Sequence, residues 1–292
     1  MIRLRLAITM HGPRGLSAVI PLVLALAAFV LWTAPAALAV TPGTCEHAPA
    51  ATILVYHRFG PIVADSMTVR TRVFAWQLQY LHDHGYTVVP LPDVVKFLTA
   101  HGHLPACAVA ITADDGHITV FTVMKPLVER YRIPVTLFIY PSAISNASYA
   151  MTWDQLAALK ATGLFSIESH TYWHPNFRTE KKRLSADAYR ALVQTQLRKS
   201  RQVLESRFGG KVDMLAWPFG IYDDELIAAA ANAGYVAAFS IDRRNVSPTD
   251  NVMAIPRFIV TDGDTGKAFA MLLSGESSER TRKGPQAADD PG

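Results

Sequence analysis

From Thr52 onward, short runs of apolar and β-branched residues alternate with longer stretches in which apolar positions recur at helical spacing. Residues 52–57 (TILVYH) read as a strand, and residues 73–84 (VFAWQLQYLHDH) as a helix that stops at Gly85. Residues 107–112 (CAVAIT) and 135–140 (VTLFIY) are continuous apolar runs, the pattern of strands covered on both faces, with a helix expected over 119–131 between them. A helix over 153–162 ending at Gly163, a strand over 164–169, and a long polar helix over 185–208 before Gly209-Gly210 follow. Residues 214–217, 235–240 and 255–260 supply later strands, with an alanine-rich helix over 223–233. This order predicts an α/β architecture with a parallel sheet, and seven or eight such alternations fit a barrel better than an open sheet.

Ahead of this pattern, Arg3, Arg5 and Arg14 flank or precede an apolar run over 16–32, and small residues close it at Ala37-Leu38-Ala39. That is the layout of a signal peptide cleaved after Ala39. The alternative is an uncleaved anchor, because the run is near the roughly 17-residue lower limit for a spanning helix. The chain is therefore expected to be exported, periplasmic or extracellular, or held at a membrane by residues 16–32. The expected organisation is a signal peptide (1–39), an N-terminal arm (40–50), one domain (51–274) and a disordered tail (275–292) without large apolar residues.

Composition changes this picture little: 292 residues, 50% hydrophobic and 18% charged, suit one domain with a substantial core. The formal charge is +4, but residues 1–39 hold three arginines and no acid, leaving +1 for the remainder. With no basic stripe elsewhere, nucleic acid is excluded as a partner. Two states are open to the two cysteines, Cys45 and Cys107: a disulfide tying the arm to a core strand, or two free thiols.

Three segments carry chemistry. Residues 111–117 (ITADDGH) put Asp114 and Asp115 at the carboxyl end of a buried strand, where barrels build their sites. Residues 168–175 (ESHTYWHP) follow another strand and hold His170 and His174 four positions apart, so that one helical turn would carry both rings to one side. Two imidazoles and one carboxylate form a catalytic rather than a closed metal site, with zinc the first expectation. Such an ion polarises a carbonyl and acidifies water, and the second carboxylate can take the proton. Residues 217–222 (WPFGIY) read either as a rigid hydrophobic turn or as a wall of rings for stacking a sugar. A serine hydrolase is set aside, since no G-x-S-x-G elbow is present.

These motifs resemble the polysaccharide deacetylases of the NodB-homology fold, carbohydrate esterase family 4, over roughly residues 50–272. Residues 112–116 are similar to the T-F-D-D-G motif, 170–175 to H-[ST]-x-x-H-P, and 218–220 to P-x-G. The resemblance implies a distorted (β/α)7 barrel and a divalent ion, usually zinc, held by Asp115, His170 and His174. It implies Asp114 as general base, and Trp217, Pro218, Phe219, Gly220 and Tyr222 along the substrate groove. Ala113 stands where the family has an aromatic residue, no arginine precedes Pro218, and no late Leu-x-His motif supplies the usual acid. A subgroup acting on poly-β-1,6-N-acetylglucosamine shows similar losses and an early Y-H motif like Tyr56-His57. His57 then becomes the expected proton donor to the departing amine, with mere hydrogen bonding to a ligand as the alternative. Arg257 is expected either to replace the missing arginine beside Asp114 or to make an ordinary surface pair. The function implied is metal-dependent N-deacetylation of an amino-sugar polymer with release of acetate. The alternatives are chitin oligomers, peptidoglycan or acetylated xylan as substrate, or a non-catalytic carbohydrate-binding protein.

Overall fold

Seven parallel strands frame the site: β1 (Thr52–Tyr56), β2 (Ala108–Asp114), β3 (Val135–Ile139), β4 (Phe165–Ser169), β5 (Met214–Ala216), β6 (Ala237–Phe239) and β7 (Phe258–Ile259). The computed structural model describes residues 51–100 and 102–275, so the expectations for the leader, the arm and residues 276–292 lie outside the described residues. The strand order is β7-β1-β2-β3-β4-β5-β6, with every neighbouring pair parallel. One parallel bridge between Phe239 and Ile255 joins the last strand to the segment leading into β7, closing the ring. This is the expected α/β class, a distorted barrel of seven strands.

Alternation along each strand divides the core into two layers. Ile53, Ala108, Ala110, Phe138, Met214, Ala216, Phe239 and Ile255 pack together inside the ring, with Leu91, Val94 and Val95 of the helix Leu91–Ala100 joining them. Their neighbours Leu54, Val109, Ile111, Leu137, Leu215 and Ala238 face outward and pack with the surrounding helices. The small residues Ala108, Ala110 and Ala216 leave room for Phe138 and Phe239, whose rings meet at 5.4 Å.

The helices begin where side chains can satisfy free N–H groups. Thr152 and Gln155 form a reciprocal capping box, and Ser185 and Asp223 cap the helices Ala186–Phe208 and Asp224–Asn232. The segment expected as one helix over 119–131 is instead a π-helix (Val120–Met124) running into the α-helix Lys125–Tyr131. Pro126 lacks an N–H and crowds the preceding turn, which widens so that Lys125 N–H reaches Val120 O. The last expected strand is likewise cut short, because Pro256 interrupts the ladder between Ile255 and β7. Cys107 is disulfide-bonded, and its partner lies outside the described residues. Among the described residues, no helix is long and apolar enough to cross a membrane.

Candidate metal centre and active site

The inward phase of the strands, continued past their ends, delivers the site. His57 continues the phase of Ile53 on β1, Asp114 that of Ala108 and Ala110 on β2, and Tyr140 that of Phe138 on β3. His170 follows β4 in the phase opposite to Phe165 and Ile167, which pack outward. These side chains therefore meet at the carboxyl end of the barrel.

Asp115, His170 and His174 form one cluster, with a ligand atom from each lying within 4.8 Å of the others. Asp115 Oδ1 stands 3.6 Å from His170 Nε2 and 3.8 Å from His174 Nε2. Ligands about 2.1 Å from a tetrahedral ion lie about 3.4 Å apart, so this spacing is that of a metal set. Asp115 Oδ1 is buried and has no hydrogen-bond partner, an orphaned anionic acceptor of the kind that suits a metal ligand. His170 Nδ1 donates to Ala216 O at 2.8 Å, so the lone pair on Nε2 faces the cluster. Burial, aided by the neighbouring His170, lowers the His174 pKa to about 4 and keeps that ring neutral and fit to ligate.

The two histidines converge by a different route from the helical turn expected. Residues 170–176 form a loop, with Thr171 at φ 63° and His174 at φ 61°. Pro175 disfavours helical backbone at His174, so a turn of helix is not available there. The loop is tied down from behind: Gln196 Oε1 accepts from Tyr172 N–H at 3.1 Å and Trp173 N–H at 2.9 Å, and Ser169 Oγ accepts from Thr171 N–H at 3.2 Å. Gln196 is 1% exposed on the long helix Ala186–Phe208. Gln196→Met is expected to weaken metal binding about 10–100-fold, the usual cost of losing outer support for a ligand. A competitive chelator titration checks this, and unchanged affinity in Gln196→Met would remove Gln196 from the account.

Asp114 sits beside the cluster without belonging to it. It is 2% exposed, and Arg257, fully buried, grips it through two bonds of 2.9 and 2.8 Å. Arg257 also donates to Ser240 O at 3.1 Å and Thr112 Oγ1 at 3.2 Å, and its guanidinium lies 5.2 Å from the Phe138 ring centroid. Thr112 and Asp114 are two apart on β2 and so share a face. Burial pushes the Asp114 carboxyl upward, but the charge and hydrogen bonds of Arg257 outweigh it, holding Asp114 ionised below its ordinary range. His57 is partly buried near both acids; burial lowers its pKa, with Asp115 and Asp114 opposing, and its Nδ1 has no partner.

The 217–222 loop corrects part of the stacking-wall expectation. Trp217 has no exposed surface, and its Nε1 donates to Met253 O at 2.9 Å, so it anchors the loop from within. Pro218 is buried as well, and Tyr222 turns to Asp242, its hydroxyl donating at 3.1 Å. Phe219 alone of this loop's rings faces the cluster, 55% exposed and 4.6 Å from the His174 ring. Gly220, at φ 64°, is required here, since a Cβ would lie 2.3 Å from Ile241 Cγ1. Tyr140 also approaches the His174 ring, at 5.3 Å, and hydrogen-bonds Tyr149, which is 43% exposed. Neither tyrosine was singled out by motif, yet Tyr140 directly follows a barrel strand, a position that itself signals a site.

A ring of parallel strands with a two-histidine, one-carboxylate cluster at their carboxyl ends defines a class: an α/β-barrel protein whose cluster has the donor set and spacing to hold a metal ion. Residues 101–238, just under half of the chain, match the family model described as polysaccharide deacetylase. The poly-β-1,6-N-acetyl-D-glucosamine N-deacetylase of Staphylococcus aureus is 26% identical over 193 residues, 65% of this chain and 66% of that protein. This chain thus spans just under two thirds of that relative's length. The Streptococcus pyogenes deacetylase PplD, solved in complex with acetate, aligns with a TM-score of 0.69 at 20% identity, over 77% of this chain and 99% of that one. IcaB from Ammonifex degensii aligns with a TM-score of 0.67 at 22% identity, over 78% and 98%. At these identities the structural likeness establishes the fold.

Proposed function

We propose that the protein is an exported, metal-dependent hydrolase that removes N-acetyl groups from an amino-sugar polysaccharide, poly-N-acetylglucosamine, and releases acetate. The observation carrying this reading is the pairing of an open metal set (Asp115, His170, His174) with a separate carboxylate, Asp114, kept ionised by Arg257. The name of the Staphylococcus aureus relative supports the choice of polymer.

A divalent ion, zinc in this reading, supplies polarisation of the amide carbonyl and acidification of a water when bound. Asp114 receives the proton of the attacking water at the oxygen facing the site, and Arg257 keeps that carboxylate charged and oriented. His57 enters as a neutral ring, takes over the water proton received by Asp114, and passes it to the nitrogen as the carbon–nitrogen bond breaks, returning to the neutral ring. Acetate leaves, and the amine left on the polymer takes up a proton in water. Phe219, beside the His174 ring, and Tyr149, hydrogen-bonded to Tyr140, are both exposed and in this reading face the sugar chain.

His57→Ala is expected to lower kcat about 100-fold, in the range of a lost proton carrier, while bound metal stays unchanged. Single-turnover acetate release alongside metal analysis checks both; a full rate in His57→Ala would exclude the role.

Substrate choice is tested by measuring acetate release from poly-N-acetylglucosamine, chitin oligomers, peptidoglycan and acetylated xylan in parallel. The highest kcat/KM is expected with poly-N-acetylglucosamine. Faster release from another polymer would replace the substrate, and tight binding without release from any would favour a carbohydrate-binding protein.

A further inference from the structure

His117 closes the run that carries Asp114 and Asp115, yet the chemistry above gives it no role. It stands two residues after Asp115, so at about 3.5 Å per residue its Cα lies within about 7 Å of that of a metal ligand. The ring is partly buried, and its neighbours fix which nitrogen holds the proton. Thr119 N–H donates to Nδ1 at 3.2 Å, and a backbone N–H can only donate, so Nδ1 is an acceptor. The Thr119 hydroxyl, 2.8 Å from the same nitrogen, accepts from Phe59 N–H at 2.9 Å and donates to Nδ1. The ring proton therefore sits on Nε2, which makes no hydrogen bond among the described residues and is not buried. One oriented N–H is thus left free beside the metal set.

Tyr149 stands next to it on a loop that the Asp115-Gly116 turn holds by its backbone. His117 and Ala150 form an antiparallel bridge, Ile118 N–H donates to Tyr149 O at 2.8 Å, and Met151 N–H donates to Gly116 O at 2.9 Å. The Tyr149 and His117 rings lie nearly parallel, 14° apart, with centroids 6.1 Å apart. The Tyr149 hydroxyl bonds that of Tyr140, whose ring is 5.3 Å from the His174 ring. An exposed ring with a free N–H beside it has the two parts of a sugar site, an apolar face and a placed polar group. Of the charges that reach His117, Arg58 and Asp65 pair with each other at 2.9 Å and Asp115 belongs to the metal set, so no unpaired anion is left there to hold an ammonium group.

We propose that His117 and Tyr149 form a subsite for the sugar unit next to the one being deacetylated, and that it selects a unit still carrying its N-acetyl group. The proposal rests on the deacetylase reading above. Tyr149 takes the apolar face of the sugar, and His117 Nε2–H donates to the acetamide carbonyl oxygen. A deacetylated unit carries an ammonium group, which has donors and no acceptor, so His117 Nε2–H is left unanswered. The enzyme therefore spaces the amines it makes along the polymer.

The test uses two trimers of β-1,6-linked units, each with a labelled acetyl group on a central N-acetylglucosamine. In one the flanking units are N-acetylglucosamine, and in the other glucosamine. For labelled acetate released by the zinc-loaded full chain, kcat/KM is expected to be about fivefold higher with the first trimer, the worth of one hydrogen bond. His117→Phe keeps a ring and loses the N–H; it should erase that preference by lowering the first value and not the second, with bound zinc unchanged. His117→Gln, which keeps a donor, should recover part of it. Equal values for the two trimers in the parent, or a higher value with glucosamine flanks, overturns the subsite. So does an equal fall for both trimers, or a loss of zinc, in His117→Phe. If the parent releases labelled acetate from neither trimer, the deacetylase reading fails, and calorimetric binding of the two trimers to the same chains decides. A preference for the first trimer that His117→Phe erases then upholds the subsite, and equal affinities overturn it.

Discussion

Arg257→Ala is expected to destabilise the protein by about 3–5 kcal/mol, the cost of leaving one member of a buried ion pair without its partner. The guanidinium has no exposed surface and makes two bonds to Asp114, one to Thr112 and one to Ser240 O. Its removal leaves a carboxylate at 2% exposure, whose pKa burial would then raise, and a hole between Phe138 and Phe239. Arg257→Lys should recover little, since a single ammonium cannot reproduce the two-pronged grip. The double variant Asp114→Asn/Arg257→Met should regain much of the loss, because neither charge then remains. Urea denaturation of the three variants checks the series. A single variant within about 1 kcal/mol of the parent, below the range for a broken buried pair, would show that the pair is not what holds this end of the barrel.

Asp114→Asn is expected to reduce kcat about 10²–10⁴-fold, the contribution of a positioned general base. KM should change little, since the amide is nearly isosteric and Phe219 and the metal set are untouched. Metal content should also stay at the parental value, because the cluster is formed by Asp115, His170 and His174 and not by Asp114. Part of any activity loss could arise through stability, as Arg257 would lose its counter-charge; assays well below the melting range separate the two. An activity loss accompanied by loss of metal would instead make Asp114 a ligand, and a near-normal kcat would leave the proton without a receiver.

Much of the barrel could be read from the chain because its strands are long apolar runs and its helices carry side-chain caps. The site was legible where a motif coincided with a strand end, as with Asp114-Asp115 after β2 and His170 after β4. Other parts lacked such signals. The strand expected to stop at Thr112 runs to Asp114, since pairing with Phe138 overrides the poor strand propensity of aspartate. The helix Phe177–Arg183 is almost wholly polar and shows no apolar stripe, so only the Asn176 cap marks it. The burial of Trp217 follows from a bond to Met253, a contact between distant segments that no local pattern encodes. Tyr140 is the instructive case: alternation from Phe138 places it at the site, and period-two reading past the strand end would have found it.

The most direct measurement is acetate release from poly-N-acetylglucosamine as a stripped sample is titrated with zinc, with bound metal counted at each point. The account predicts activity rising in proportion to bound zinc and levelling at one ion per chain, with His174→Ala failing to recover at the same loading. Release that persists undiminished in stripped protein, or that rises equally in His174→Ala, would contradict a metal centre at Asp115, His170 and His174.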